Sequence, residues 1–122
     1  MRYISYLLFL IMSVFSCQKQ PNIDLTGTWK AIELTQEGDS LEIDLGEVSF
    51  KFMENGRYQF NSTLKYKEAG TYHIDGPFLF STDTTQNILH EKAVEIIQLS
   101  GDTLILRMEE LDKERVMVLK KE

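Results

Sequence analysis

From Leu25 onward, short runs of aromatic and β-branched residues alternate with turn signals, at a spacing of roughly 8 to 12 residues. No long stretch with helical spacing competes with this pattern. The alternation is typical of an all-β sandwich or barrel, because each short strand must end at a turn before the next one can pair with it. We predict eight strands, near Gly27 to Leu34, Glu47 to Met53, Arg57 to Ser62, Lys67 to Ile74, Phe78 to Thr82, Lys92 to Leu99, Thr103 to Glu109 and Glu114 to Lys121.

The hairpin around Gly56 can be assigned by register, because directly paired residues share one face of a sheet. A three-residue loop at positions 54–56 pairs Phe52 with Tyr58 and Phe50 with Phe60, and it turns all four rings inward together with Val48. A two-residue loop would pair Phe52 with a glutamine instead. The sequence therefore predicts the three-residue form.

The same three-residue form at positions 74–76 would pair Tyr72 with Phe78 and Gly70 with Phe80. A third consecutive aromatic pair would then face the interior. The predicted inward set on the strands is Val48, Phe50, Phe52, Tyr58, Phe60, Tyr72, Phe78, Phe80, Leu104, Leu106, Met108, Val116 and Val118.

Two registers remain open for the hairpin around Gly101. A three-residue loop at 99–101 pairs Ile96 with Leu104, whereas a two-residue loop at 101–102 pairs Leu99 with Leu104. Either register leaves one apolar pair outside, Val94 with Ile96 or Ile97 with Leu99. With Ile105, Met117 and Leu119 also outward, the last three strands would carry an apolar patch suited to an envelope protein partner or to a homodimer.

The N-terminus begins with Met1-Arg2 and continues into an apolar run from Leu7 to Ser16 that ends at Cys17, the single cysteine of the chain. A cationic start and an apolar stretch of about ten residues are typical of a secretory signal peptide, and the run is too short to span a bilayer. The end of the run, Val14-Phe15-Ser16-Cys17, resembles the lipobox of bacterial lipoproteins. An ordinary cysteine behind a plain secretory signal is the alternative.

The lipobox resemblance implies cleavage before Cys17 and a lipid anchor on its sulfur, with Gln18 resembling the sorting signal for the outer membrane, facing the periplasm. The expected organisation is a lipoprotein signal peptide at 1–16, a lipid-anchored tether at 17–24 and one barrel domain at 25–122. The chain carries a net charge of −6, and removal of the signal with its single arginine makes it more acidic. Such a charge disfavours nucleic acid as a partner.

The segment Leu25-Thr26-Gly27-Thr28-Trp29-Lys30 resembles the Gly-x-Trp signature that opens the first strand of lipocalins. Later patterns, among them Asn55-Gly56 and Gly70-Thr71-Tyr72, look more like the small lipocalin-like lipoproteins of Gram-negative bacteria. The resemblance implies an eight-stranded antiparallel up-and-down β-barrel in which Gly27 and Trp29 are structural and the tryptophan closes the narrow end. An arginine usually covers this tryptophan in lipocalins, and Lys120 or Lys121 would have to replace it here.

Motifs for catalysis are weak, so we predict no enzyme, no catalytic residues, no metal and no cofactor. His90-Glu91 begins like a zinc-protease motif, but Val94 occupies the position of the second histidine. The only other histidine is His73.

Two non-enzymatic functions remain, because an eight-stranded barrel is just wide enough to be filled by side chains or to hold one small ligand. The first is binding of a small apolar or amphipathic ligand among Phe50, Phe52, Tyr58, Phe60 and Tyr72, with the tyrosine hydroxyls as polar handles. The alternative is a filled barrel that acts as a protein-interaction or structural module of the cell envelope.

Overall fold

The computed structural model of the protein describes residues 23–122. These residues form nine strands and one turn of 3-10 helix at Thr63–Lys65. The strands are β1 (Gly27–Gln36), β2 (Asp39–Ser40), β3 (Ser49–Phe52), β4 (Arg57–Asn61), β5 (Lys67–Asp75), β6 (Phe78–Asp83), β7 (His90–Ser100), β8 (Thr103–Glu110) and β9 (Lys113–Lys121). Eight of them lie where the sequence predicts strands, and the two-residue β2 is an addition.

The sheet closes on itself into an eight-stranded antiparallel barrel. Each strand from β3 to β8 pairs with the next, and β1 pairs with β3 on one edge and with β9 on the other. The short β2 extends the β3 edge of β1 through Thr35 and Gln36. The predicted fold class, an up-and-down barrel, is therefore confirmed. Since closure leaves no long unpaired edge, residues 23–122 contain the pairings and the core that they need to fold on their own.

The hairpin between β3 and β4 has the predicted register. Phe50 pairs with Phe60, Phe52 pairs with Tyr58, and Gly56 adopts a φ of +77° at the end of the three-residue loop. The amide of Met53 donates to the carbonyl of Arg57 at 2.8 Å and closes the loop. The aromatic pairs inferred from this loop all point into the barrel.

The hairpin between β5 and β6 corrects the prediction. Its loop has two residues, Gly76 and Pro77, so that Ile74 pairs with Leu79 and Tyr72 with Ser81. Gly76 has a φ of +59° and the ring of Pro77 holds a negative φ, which is the combination of a type II′ turn. The register differs from the predicted one by three residues, an odd number, and this turns Phe78 and Phe80 to the outer face, where Phe80 stacks on His73 with ring centroids 5.0 Å apart.

The hairpin between β7 and β8 begins in the second of the two registers that the sequence left open and then departs from both. Leu99 pairs with Leu104 across a two-residue turn, but a β-bulge at Ile97 shifts the register so that Ile96 pairs with Leu106. The bulge removes the expected outward pair: Ile96 is buried, Val94 and Leu99 pack against the core, and Ile97 alone is exposed. Alternation with a fixed period of two could not predict this arrangement.

Strand β9 faces the opposite way from the prediction. A two-residue turn at Leu111 and Asp112, both with positive φ, pairs Leu106 with Met117 and Leu104 with Leu119. Met117 and Leu119 are therefore buried, whereas Val116 and Val118 lie on the outer face. The apolar patch predicted on the last three strands is wrong in its membership, since Met117, Leu119 and the β7 pair point inward.

The core fills the interior with side chains from every long strand. Its buried apolar members are Leu25, Trp29, Ala31, Leu34, Val48, Phe52, Tyr58, Leu79, Ile96, Leu104, Leu106, Met117 and Leu119. Within residues 23–122, no helix has the length and apolar character needed to cross a bilayer. The expected signal peptide, Cys17 and most of the expected tether lie outside the described residues.

Candidate ligand-binding site

One end of the barrel is closed by Trp29, which is 1% exposed. Its indole nitrogen donates to the carbonyl oxygen of Leu25 at 2.8 Å, so the buried polar group is satisfied. The ammonium of Lys121 lies 5.7 Å from the centre of the indole ring, in the position that the sequence assigns to Lys120 or Lys121. Leu104 and Leu119 are completely buried next to this closure, so this end of the barrel is filled.

Gly27 lies beside the same closure. It has a φ of +132°, which residues with a side chain rarely adopt, and a Cβ there would come within 2.7 Å of Lys121 Cε. Both features of the Gly-x-Trp segment therefore serve the packing of the closed end.

The other half of the barrel contains a cavity of about 410 Å³. This volume lies in the range of cavities that hold small organic ligands. The walls are mainly apolar and aromatic and come from strands around the barrel. The lining residues are Leu34, Ile43, Leu45, Val48, Phe50, Phe52, Tyr58, Phe60, Ser62, Tyr66, Glu68, Leu79, Ser81, Lys92, Val94, Leu106, Met108, Glu110, Arg115 and Met117.

The cavity faces the end of the barrel opposite Trp29, which we call the mouth. In an antiparallel barrel, the loops at 62–66, 84–89 and 111–112 lie together at this end with the connection 37–48. Leu45 from that connection packs against the core, while Ile43 lines the cavity and is 48% exposed. The segment therefore covers part of the opening.

Aromatic rings from β3 and β4 form one wall of the cavity. Phe50 stacks on Phe60 with centroids 4.5 Å apart and lies 5.7 Å from Phe52. Tyr66, from the loop before β5, meets the edge of Phe60 at 6.3 Å. The wall extends from the buried Phe52 to the mouth, where Tyr66 is 46% exposed.

A polar cluster lies beside this wall, centred on the buried carboxylate of Glu68. The hydroxyl of Tyr58 donates to Glu68 Oε2 at 2.8 Å, and the hydroxyl of Tyr66 donates to Oε1 at 3.4 Å. The ammonium of Lys92 also lies 3.4 Å from Oε1. Burial, and after it the hydrogen bond to Glu68, raises the pKa of Tyr58 well above its ordinary value, so this phenol remains a donor.

A family model of the lipocalin-like domain matches residues 25–106. The chain belongs to this family. A solved structure with a similar fold is the crystal structure of an uncharacterized protein from Bacteroides eggerthii DSM 20697, with 15% sequence identity and a TM-score of 0.60. The similarity covers 81% of this chain and 100% of that chain, and at this identity it shows the fold alone. Among curated proteins, no sequence gives a significant match.

Four of the five residues predicted to bind a ligand line the cavity of this lipocalin-like barrel: Phe50, Phe52, Tyr58 and Phe60. Tyr72 is not among the lining residues. Its hydroxyl donates to the carbonyl oxygen of Met53 at 3.2 Å, and its ring meets the edge of Phe52 at 4.9 Å. Because β5 runs from the mouth to the closed end, Tyr72 lies two residues deeper than Gly70 and four deeper than Glu68.

The sequence interpretation missed the charged lining residues. Glu68 shares a face with Tyr72 by simple alternation along β5, so the signal was present in the sequence. Asp83 is not among the lining residues but is only 4% exposed, and its side chain faces inward only because the turn at 76–77 has two residues. Hydrogen bonds from the hydroxyl and the amide of Thr85 lower the pKa of Asp83 below its ordinary value, and Lys92 contributes less.

A second ion pair lines the cavity on the side of β8 and β9. The guanidinium Nη1 of Arg115 lies 3.1 Å from Glu110 Oε2, and its Nε donates to Gln36 Oε1 at 2.9 Å. In residues 23–122, no group of three or more histidine, cysteine or carboxylate side chains is placed to hold a metal ion.

Proposed function

We propose that this lipocalin-like protein binds a small amphipathic molecule in the cavity at the mouth of the barrel. The observation that supports the proposal is the cavity itself: about 410 Å³ of space with an aromatic wall and one polar cluster. A few polar groups in an otherwise apolar cavity are the usual composition of sites for small organic ligands. An interior completely filled by side chains, as the alternative function assumes, would leave no cavity of this size.

Five apolar side chains on the loops at the mouth support entry of such a ligand from this end. Among the described residues, Ile43, Tyr66, Ile88, Leu89 and Leu111 are all exposed there, with exposed fractions from 46% to 89%. Exposed apolar groups that ring an opening mark interaction sites for apolar molecules.

The binding proposal is tested with the uncharged fluorescent dye N-phenyl-1-naphthylamine. We expect its fluorescence to rise on binding to residues 23–122, and we expect Met108→Trp, which fills the cavity from β8, to weaken binding about tenfold or more. Glu109→Trp is the matched control, because the neighbouring side chain is exposed on the outer face. Absence of dye binding by the parent, or equal binding by both variants, would contradict the proposal. Native mass spectrometry of protein purified from its own host would identify the natural ligand.

We also propose that the barrel is held at the outer membrane, facing the periplasm, by lipid on Cys17. The support is the apolar run that ends at Ser16-Cys17 and the lack of any second cysteine for a disulfide. Mass spectrometry of the membrane fraction should find an acylated N-terminus at Cys17. Cys17→Ser should abolish the acylation, whereas Ser13→Ala in the same run should retain it. A soluble product that begins elsewhere would contradict the anchor.

A further inference from the structure

Glu68 differs from the other charged side chains in the cavity wall. Of the four that the described structure places there, Glu68 is 7% exposed, whereas Arg115, Glu110 and Lys92 are 31%, 58% and 55% exposed. A buried charge is stable only with partners. Two partners of Glu68 are neutral hydroxyls, and the third is the ammonium of Lys92, at 3.4 Å and largely in water.

A second buried carboxylate adds negative charge close to this cluster. Asp83, on β6, lies near enough to Glu68 and Lys92 for both side chains to affect its pKa. Its hydrogen-bond partner, Thr85, is neutral. Glu68 and Asp83 are therefore both buried, and the lysine that pairs with Glu68 is about half exposed.

Two of the connections at the mouth are acidic, whereas the loop at 62–66 carries Lys65. The connection from Glu37 to Val48 contains five acidic residues and no basic one. The turn from Glu109 to Glu114 adds four acidic residues and one lysine. A surface of one sign beside an opening raises the local concentration of ligands of the opposite sign.

We infer that the ligand of the cavity is an amphipathic organic cation, an alkylammonium whose charged group lies at Glu68 in the place of the Lys92 ammonium. This inference rests on the proposed function. Phe60 pairs with Glu68 across β4 and β5, and the hydroxyl of Tyr66 reaches the carboxylate, so aromatic rings lie beside the charged group, while the deeper wall at Phe50 and Phe52 takes the apolar body. The hydroxyl of Tyr58 keeps its bond to the other oxygen of Glu68.

Because Lys92 pairs with Glu68, its removal should have opposite effects on the binding of a cation and of an anion. An exposed lysine contributes little through a single long ion pair, so it can turn to solvent when a ligand cation arrives. Removal of Lys92 therefore strengthens the binding of a cation, because the competitor is gone. If the ligand were an anion, Lys92 would be its partner and the same substitution would weaken binding.

The test is calorimetric titration of residues 23–122 with three probes of equal chain length: octyltrimethylammonium, octanol and octanoate. We expect the cation to bind at least about tenfold more tightly than octanol and octanoate to bind most weakly. Glu68→Gln, which keeps the shape and removes the charge, should weaken the cation about tenfold or more and leave octanol within about twofold. Lys92→Met should strengthen the cation about threefold. Glu54→Gln, in the exposed loop between β3 and β4 at the closed end, is the matched control and should change little.

Tightest binding of octanoate, an unchanged cation affinity in Glu68→Gln, or weaker cation binding in Lys92→Met would overturn the inference and leave the proposed function standing. No binding of any probe, together with no dye binding by the parent, would overturn both. If Glu68→Gln failed to fold by circular dichroism, the order of the three probes on the parent and the sign of the Lys92→Met effect would decide the matter.

Discussion

The two ends of the barrel use the same strands for different purposes. At the closed end, Trp29, Leu104 and Leu119 fill the interior, and the indole N–H is paired with a backbone carbonyl. At the mouth, the interior contains a cavity, and the carboxylates of Glu68 and Asp83 are buried beside or near it. The closed end is therefore stabilised mainly by apolar packing, whereas hydrogen bonds and charged groups are prominent at the mouth. The comparison predicts that substitutions at the closed end act on stability through packing, whereas those at the mouth act through hydrogen bonds and charge.

Trp29→Ala tests the closed end and should have the largest effect. Truncation of a buried tryptophan costs about 3 to 5 kcal/mol, because it leaves a cavity that its neighbours cannot fill. We expect a sharply lower melting temperature by circular dichroism. Ile32→Ala, at an exposed position of the same strand, is the control and should cost far less. A variant that melted like the parent but lost ligand would make Trp29 a site residue and would break the contrast between the ends.

Tyr58→Phe tests the mouth and should rank second. The substitution removes the donor 2.8 Å from Glu68 Oε2 in a buried setting, which costs about 1 to 3 kcal/mol. Urea denaturation measures the loss. Tyr66→Phe is the matched control, because its bond to Glu68 is 3.4 Å long and its ring is 46% exposed. An equal decrease in the free energy of unfolding in the two variants would show that the burial of a hydroxyl does not determine how much its bond to Glu68 stabilises the protein.

Asp83 should make the stability of the protein depend on pH. We expect Asp83→Asn to have a smaller effect on stability than Tyr58→Phe. Its pKa in the folded state is lowered from the ordinary value of 3.8, chiefly by hydrogen bonds from Thr85. Because the pKa is lowered on folding, ionised Asp83 stabilises the folded state above pH 3.8. This stabilisation is lost as the pH falls through the pKa that Asp83 has in the folded protein. Asp83→Asn should therefore be less stable than the parent at neutral pH, and the difference should shrink below pH 3.8. Thermal melts from pH 7 to pH 2.5 measure it; a gap that widened in acid would contradict the assignment.

Lys121→Met should have the smallest effect. An exposed cation over an aromatic face contributes about 0.5 to 1 kcal/mol, and the methionine keeps most of the apolar contact. The expected result is a small fall in melting temperature and a shifted tryptophan emission spectrum. Lys120→Met, on the outer face of β9, should leave the emission unchanged. Identical spectra for both variants would remove Lys121 from the closure of the barrel.

The sequence predicted the closed end better than the mouth. Gly27 and Trp29 belong to a short contiguous motif, and both are where the motif implies. The aromatic pairs of β3 and β4 followed from one loop with a clear choice between inward and outward rings. The site at the mouth joins Glu68, Lys92 and Tyr58 from three strands, and their meeting depends on the registers of all the strands between them.

The errors occurred where a local irregularity reversed the face of a strand. A three-residue loop at 74–76 and a two-residue loop at 76–77 are both plausible for this hairpin, and the choice between them decided whether Phe78 and Phe80 were core or surface. The bulge at Ile97 brought Val94, Ile96 and Leu99 to one face, which no regular alternation allows. For β9, the sequence offers two interleaved apolar sets, and Met117 with Leu119 became inward because they pair with Leu106 and Leu104.

The sequence by itself determined the all-β class of the fold and the positions of eight strands, because turn chemistry and alternation act within a few residues. Only the tertiary structure decided which face of β6, β7 and β9 is inside and which charged groups meet at the cavity. The physical reason is closure: the barrel must bring β1 against β9 with a continuous core, and the bulges and turns that meet this condition depend on strands far apart in the chain.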